Sequence, residues 1–255
     1  MPFFSIITPT YKRVDKLQKA IDSVLNQSYQ NFEMIIVNDS PNDESYKNFE
    51  NNISDPRIIY LKNEKNSGVN FSRNRGLDSI SPKAEWVIFL DDDDTLAKDT
   101  LQTFVDLIKK NENEKWFVCN RATTDGKSLT KSPKNNSHIN YAWDYLITKR
   151  FKGDATHCIK KELLKNNYFP KTIKQGDEWL FFYELSLRTQ FFYHNFNATL
   201  TDGYSDDGLN FRKRTIAEQL NTLKLLIKEG VQRKIFWHLT FIMYIKLRFL
   251  RAFIK

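Results

Sequence analysis

Apolar and polar positions along this chain follow two rhythms that take turns. Phe3–Thr8 is a short, β-branched apolar run, the pattern of a buried strand. From Asp15 onward Leu17, Ile21, Val24 and Leu25 recur on one helical face. Phe32–Val37 predicts a second strand ending in Asn38-Asp39-Ser40, and Arg57–Leu61 a third. Asn70–Ile80 predicts a helix, and Glu85–Leu90 a fourth strand running straight into Asp91-Asp92-Asp93-Asp94. Lys98–Lys110 follows as an amphipathic helix and Lys115–Asn120 as a fifth strand. Strands alternating with helices of this length imply βαβ units and an α/β fold with a mainly parallel sheet flanked by helices. Ligands of such sheets bind beyond the carboxyl ends of the strands. The polar clusters Thr8–Arg13, Asn38–Ser40 and Asp91–Asp94 are therefore expected to meet in one crevice.

After Asn140 the pattern loosens. Lys131–Ser137 predicts a surface loop, and Gly153–Lys160 a strand leading into a short helix at Lys161–Asn166. Asp177–Arg188 predicts a helix with an aromatic face, and Phe191–Phe196 and Thr199–Tyr204 two further strands. From Thr215 the chain predicts two helices separated near Gly230.

Composition narrows the class. In 255 residues, 40% hydrophobic and 14% aromatic side chains suffice for a real core and exclude global disorder. Cys119 and Cys158 form no CxxC pair, which excludes a thiolate zinc site and argues against a disulfide framework. The start, Met1-Pro2-Phe3-Phe4-Ser5, carries no basic or long apolar region of a signal peptide, so a cytoplasmic location is expected. Charge is divided unevenly. From Leu209 to Lys255 there are 11 Lys/Arg against 2 acids, whereas the remaining residues hold 28 basic and 29 acidic side chains. The basic character belongs to the tail, which is expected to meet something anionic.

The acidic run is the most unusual feature. Alternation on an extended chain would put Asp91 and Asp93 on one side, where like charges repel unless a cation neutralises them. Carboxylate oxygens suit Mg²⁺ or Mn²⁺. The plain alternative is a solvated acidic loop, which the position at a strand end of an α/β sheet disfavours. Asp91-x-Asp93-x-Thr95 also resembles the nucleophile motif of haloacid-dehalogenase-type phosphatases. Against that reading, Asp94 stands where that family has Gly, the motif lies far from the N-terminus, and Gly176-Asp177-Glu178 leads into Trp179-Leu180-Phe181 without further acids.

The ordered motifs resemble another family more fully. Ser5-Ile6-Ile7-Thr8-Pro9-Thr10-Tyr11-Lys12-Arg13, Ala20–Tyr29 and Phe32–Ser40 resemble the opening of family 2 glycosyltransferases of the GT-A fold, bacterial surface-polysaccharide type. Asn66–Val69 with Ser72-Arg73-Asn74-Arg75-Gly76-Leu77, and Phe89–Asp94 with its DxD motif, continue the resemblance. It is close over roughly the first 110 residues and loose to about residue 205. The resemblance implies a Rossmann-like domain over 1–208, with a nucleotide-sugar half (1–110) and an acceptor half (111–208), followed by a helical tail at 209–255. It implies a UDP-sugar donor, Mn²⁺ or Mg²⁺, and inversion at the anomeric carbon. By position it places Pro9, Tyr11, Arg13, Asp39 and Arg73 at the nucleotide. Asp91 and Asp92 fall with them, and Asp93 with Asp91 at the metal. An inverting transfer needs a base for the acceptor hydroxyl. The family's acidic pair falls on Asp177-Glu178, in reversed order; position makes Glu178 the base and Asp177 its neighbour, while Asp177 can equally be a helix N-cap.

The tail completes the expectations. Ile235–Ile254 is apolar but interrupted by His238, Lys246, Arg248 and Arg251, which disqualifies it as a spanning helix. Arg248, Arg251 and Lys255 share one stripe, and Leu239, Ile242, Met243, Leu250 and Phe253 are available for burial. Such a helix, within 231–255, is expected to lie on an anionic membrane surface, the inner face of the cell membrane, or else to pack on the catalytic domain or a second subunit. Interleaved apolar residues and the absence of a recognition motif speak against nucleic acid. The combined expectation is an inverting glycosyltransferase acting on a glycan acceptor, lipid-linked by preference. The alternatives are a non-catalytic nucleotide-sugar-binding module of the same fold and the DxDxT-type phosphatase.

Overall fold

The structure is a computed structural model that describes residues 1–132, 134–173, 176–202 and 215–253. The expected junction at 208/209, Tyr204 and Lys255 lie outside the described residues. The first half follows the predicted alternation, with α2 as an unpredicted addition: β1 (Phe4–Thr10), α1 (Val14–Leu25), β2 (Phe32–Asn38), α2 (Ser45–Asn52), β3 (Ile58–Lys62), α3 (Val69–Asp78) and β4 (Trp86–Phe89). Then come β5 (Asp94–Leu96), α4 (Thr100–Lys110), β6 (Trp116–Thr123), β7 (Ser137–Ile139) and, after a π-helical turn at Tyr141–Ile147, β8 (Ala155–Lys160). A 3₁₀ turn at Lys161–Leu164, α5 (Trp179–Ser186), β9 (Phe191–Thr201), α6 (Ile216–Gln232) and α7 (Leu239–Phe253) complete the order.

One sheet runs in the order β3-β2-β1-β4-β8-β6-β9-β5, with β7 on β9. Its first four strands are parallel, and β8 enters antiparallel to both β4 and β6. Period-2 alternation sorts the side chains onto two faces. Phe4 and Ile6 of β1, with Phe117 and Cys119 of β6, join one core with Leu17, Ile21 and Phe104 from α1 and α4. Ile7, Trp116 and Val118 point the other way, into a core shared with Leu180 of α5, Leu226 of α6 and Phe241 and Tyr244 of α7. The two cysteines are buried and free.

One difference from the sequence expectations has a clear cause, and the tail adds detail. The two strands predicted over 191–204 are one strand to Thr201, because Asn195 and Asn197 do not break pairing: both accept hydrogen bonds from Asn120 Nδ2 (2.7 and 3.1 Å) across bulges in the β6–β9 register. The tail helices separate after Gln232, near Gly230 as expected. Gly230 sits inside α6 because a Cβ there would lie 2.5 Å from Cζ of Phe241. On α7 the apolar residues divide between the inside and the surface. Phe241, Tyr244 and Ala252 face inward, whereas Leu239, Ile242, Leu250 and Phe253 are exposed and Met243 is half-buried. Arg233, just past α6, explains part of the docking: it pairs with Glu184 of α5 and Glu229 of α6 and donates to the Tyr168 carbonyl.

Candidate active site

The carboxyl ends of β1, β2 and β4 open into a cavity of about 680 Å³. Pro9, Tyr11, Arg13, Asp39, Arg73 and Asp91–Asp94 line one side; Asp177, Glu178 and the aromatic residues Tyr141, Tyr145, Phe169 and Phe182 line the other. All the site residues singled out from the sequence therefore border one space.

Their local geometry differs from simple alternation. β4 ends at Phe89, and the Asp94 N–H donates to the Asp91 carbonyl (3.2 Å), so Asp91–Asp94 is a tight turn and not an extended chain. The turn gathers one carboxylate oxygen each from Asp91, Asp93 and Asp94 within 4.8 Å of one another. Three like charges so close need counter-ions. Each has an arginine: Arg73 to Asp91 (2.7 Å), Arg13 to Asp93 (2.8 Å) and Arg121 to Asp94 (2.7 Å). Burial alone would raise the Asp91 carboxyl, but Arg73 and Arg121 outweigh it and hold the group below the ordinary carboxylate range. Burial wins at Asp94, pushed up to about 7 despite Arg121. Asp94 and Arg121 were not singled out by sequence. In a run of four acids no spacing says that the fourth turns back, and Arg121 arrives from β6, far along the chain.

Asp92, expected at the donor, is turned toward β1 instead. Its carboxylate accepts from Thr10 Oγ1 (2.8 Å) and the Tyr11 N–H (3.2 Å), bracing the strand end that carries Tyr11 and Arg13. Burial pushes it up to about 6, although the Thr10 hydrogen bond opposes the shift. Asp39 organises a second edge. It accepts from Asn63 Nδ2 (2.7 Å), the Ser67 N–H (2.8 Å) and the Gly68 N–H (2.7 Å). A carboxylate offers about four acceptor positions, so one remains for an N–H of a ligand.

The opposite wall is tied to α3. Arg73, only 9% exposed, donates through Nη1 to Glu178 (2.6 Å) and through Nη2 to Asp91 (2.7 Å). The two acids it joins keep 48% and 42% of their side chains accessible. The guanidinium also lies over the Phe169 ring, 5.3 Å from its centroid. Asn70 and Asn74, one turn apart on the buried face of α3, lace the same wall in place. Asn70 Nδ2 donates to the carbonyls of Ile173 (2.8 Å) and Gly176 (3.1 Å); Asn74 both donates to the Phe169 carbonyl (3.1 Å) and accepts from its N–H (2.8 Å). These asparagines were also missed; buried polar residues at i and i+4 on a helix lacking an apolar face are the signal. The helix lies close to the sheet because residue 76 is Gly: a Cβ would stand 2.4 Å from Cγ2 of Ile7.

Asp177 and Glu178 play different parts. Gly176 and Asp177 both have positive φ (71° and 56°), a strained turn for the aspartate. Asp177 is 3% exposed and ion-paired to Arg248 of α7, and Trp179 Nε1 donates to it (3.2 Å). It is not the N-cap of α5; Glu178 holds that position without a capping side-chain bond and reaches into the cavity. The carboxylate oxygens of Asp91, Asp93 and Asp94 are the hard donors that a Mg²⁺ or Mn²⁺ ion takes, and two of the three residues are partly accessible. The donor set fits such an ion. Among the described residues no helix is long and apolar enough to cross a membrane.

Known proteins resemble this chain in sequence and fold. The sequence profile described as "Glycosyl transferase family 2" matches residues 5–181. A Campylobacter jejuni protein named GalNAc(5)-diNAcBac-PP-undecaprenol beta-1,3-glucosyltransferase is 33% identical over 201 residues, 76% of this chain and 63% of its own. The Bacillus subtilis minor teichoic acid biosynthesis protein GgaA is 31% identical over 200 residues, covering 72% of this chain and 43% of GgaA. The chain thus spans about two fifths to three fifths of the length of these relatives. In fold it is similar to residues 1–349 of Staphylococcus aureus TarS, crystallised with UDP-GlcNAc, with a TM-score of 0.76 at 18% identity, covering 98% of this chain and 72% of the other.

Proposed function

The chain belongs to glycosyl transferase family 2, and from that premise we propose that it moves a sugar from a UDP-sugar to a lipid-linked glycan acceptor with inversion. One observation carries the reading: the triad of Asp91, Asp93 and Asp94 and the accessible carboxylate of Glu178 face one cavity and share Arg73. Tyr11, Arg13 and the remaining acceptor position of Asp39 border the nucleotide, Asp39 receiving an N–H of the base. Asp91, Asp93 and Asp94 hold Mg²⁺ or Mn²⁺, which when bound supplies Lewis-acid stabilisation of the leaving diphosphate.

Glu178 takes the proton of the acceptor hydroxyl as that oxygen bonds to the anomeric carbon and the bond to the UDP oxygen breaks, inverting the centre. Burial and the ion pair to Arg248 remove Asp177 from this role, because a base must reach the proton it takes. Arg73, ion-paired to Glu178, aims it into the cleft. UDP-GlcNAc in the TarS complex supports the donor class, and the undecaprenol-linked substrate in the Campylobacter relative's name supports the acceptor class.

The outer face of α7 supports a peripheral position on an anionic, cytoplasmic membrane face. Trp237, just before the helix, is 82% exposed; on α7 Leu239 is 70% exposed, and Ile242, Phe249 and Phe253 continue the stripe. From Gly230 to Lys255 there are six Lys/Arg and no acid. Two copies joined through this face would set like charges against each other, whereas an anionic lipid surface complements them. The test is transfer itself: UDP-sugars are incubated with Mn²⁺ and an undecaprenyl-diphosphate-linked glycan. UDP release and a product one sugar heavier are expected; release of inorganic phosphate from small phosphoesters would favour the phosphatase alternative. UDP-sugar binding without any turnover would leave a binding module.

A further inference from the structure

The lip of the acceptor side carries a group of cations that the transfer reading leaves unused. Lys149 lies beside the aromatic wall, its Nζ 5.0 Å from the Tyr145 ring centroid and 5.9 Å from that of Tyr244 on α7. One turn beyond Tyr244, Arg248 reaches Asp177 on the cavity wall, and Arg251 follows three residues later, exposed. Lys152, also exposed, adjoins Gly153 and Asp154, which line the cavity. Burial and the repulsion of Arg251, Arg248 and Lys152 lower the Lys149 pKa, in keeping with each of the three lying near Lys149. Acids nearby are already engaged: Asp177 by Arg248, and Asp154 by Arg121 at 3.0 Å. No ion pair among the described residues engages Lys149, Lys152 or Arg251. Lys149, Lys152 and Arg251, gathered beside Arg248 without counter-ions of their own among the described residues, favour an anionic ligand.

We propose that Lys149, Lys152, Arg248 and Arg251 form a binding site for the phosphoryl groups of a diphosphate-linked acceptor, separate from the site of the donor's diphosphate. The location selects this ligand. The cluster stands beside Asp177-Glu178, where the acceptor hydroxyl must arrive, while the apolar stripe of the same helix faces outward. A lipid lying along that stripe brings its headgroup diphosphate to the cations and its glycan to the cavity. The inference rests on the transfer reading for the acceptor's identity but not for the existence of the site.

The experiment titrates farnesyl diphosphate into the full chain by calorimetry with Mn²⁺ and saturating UDP, which fills the donor site. Wild type is expected to bind it, and Lys149→Ala with Arg251→Ala to weaken binding about tenfold or more, as loss of charge-assisted hydrogen bonds predicts. Lys149→Arg with Arg251→Lys should restore it. If the first double variant fails to fold by circular dichroism, Lys152→Ala with Arg251→Ala, both exposed, takes its place. Equal binding by wild type and variant, or full displacement by UDP, overturns the proposal. So does a variant that loses only phosphatidylglycerol vesicles and keeps farnesyl diphosphate, which would assign the cations to bulk headgroups. UDP titrated alone is the separate control: no UDP binding would sink the transfer reading and leave the cation site standing on its own result.

Discussion

The two sides of the cavity are built by different means. On the side proposed for the donor the polar groups sit at the ends of neighbouring parallel strands, and nearly all come from the first 94 residues. The acids there are balanced one by one by Arg13, Arg73 and Arg121. On the side proposed for the acceptor an aromatic core carries the wall, and its polar groups come from segments as distant as Lys149, Asp177 and Arg248. A site made at strand ends follows from the sheet. A site made between a loop and a tail helix exists only while that helix is docked.

Experiments can break this contrast or sharpen it. The largest effect is expected at the point where the sides meet: Glu178→Gln should lower kcat for transfer about 1,000-fold, within the usual range for a general base, while the Kd for UDP moves little. A variant that transfers at the wild-type rate would remove Glu178 from the chemistry. Phe241→Ala, which empties a fully buried site between α6, α7 and Trp179, should cost about 3 kcal/mol in urea unfolding. It should also impair transfer more than UDP binding; equal loss of both would mean that the tail supports the whole fold and not the acceptor side. Asn74→Ala leaves the N–H and carbonyl of Phe169 without their partner and should cost about 2 kcal/mol. A change below about 0.5 kcal/mol would show that water replaces the side chain. Smallest in stability is Leu239→Ser on the exposed stripe, expected within about 0.5 kcal/mol of wild type by thermal melting. The same variant should weaken sedimentation with phosphatidylglycerol vesicles, and unchanged sedimentation would take the membrane away from this face.

The sequence was more legible on one side for the same reason. Phe3–Thr8, Phe32–Val37 and Glu85–Leu90 announce buried strands whose polar ends must converge, and they do. Asp91 and Asp93 were legible as residues but not as geometry, since four successive acids leave open where the chain turns. Arg121, Asn70 and Asn74 were hidden because their partners are remote in sequence. The inward face of α7 was not legible because the apolar residues suited to burial outnumber the places available. Only docking against Trp179 and Asp177 selects Phe241, Tyr244 and Arg248 for the inside. The local strain at Asp177 had no sequence signal beyond the preceding glycine.

Gly230 and Phe241 meet across two helices with no room for another carbon. Tails of this kind are consequently not freely interchangeable among relatives. A transplanted helix will seat only if the flat ring and the bare backbone opposite it travel together, so what a chimera must preserve is a pair of positions and not a stretch of chain.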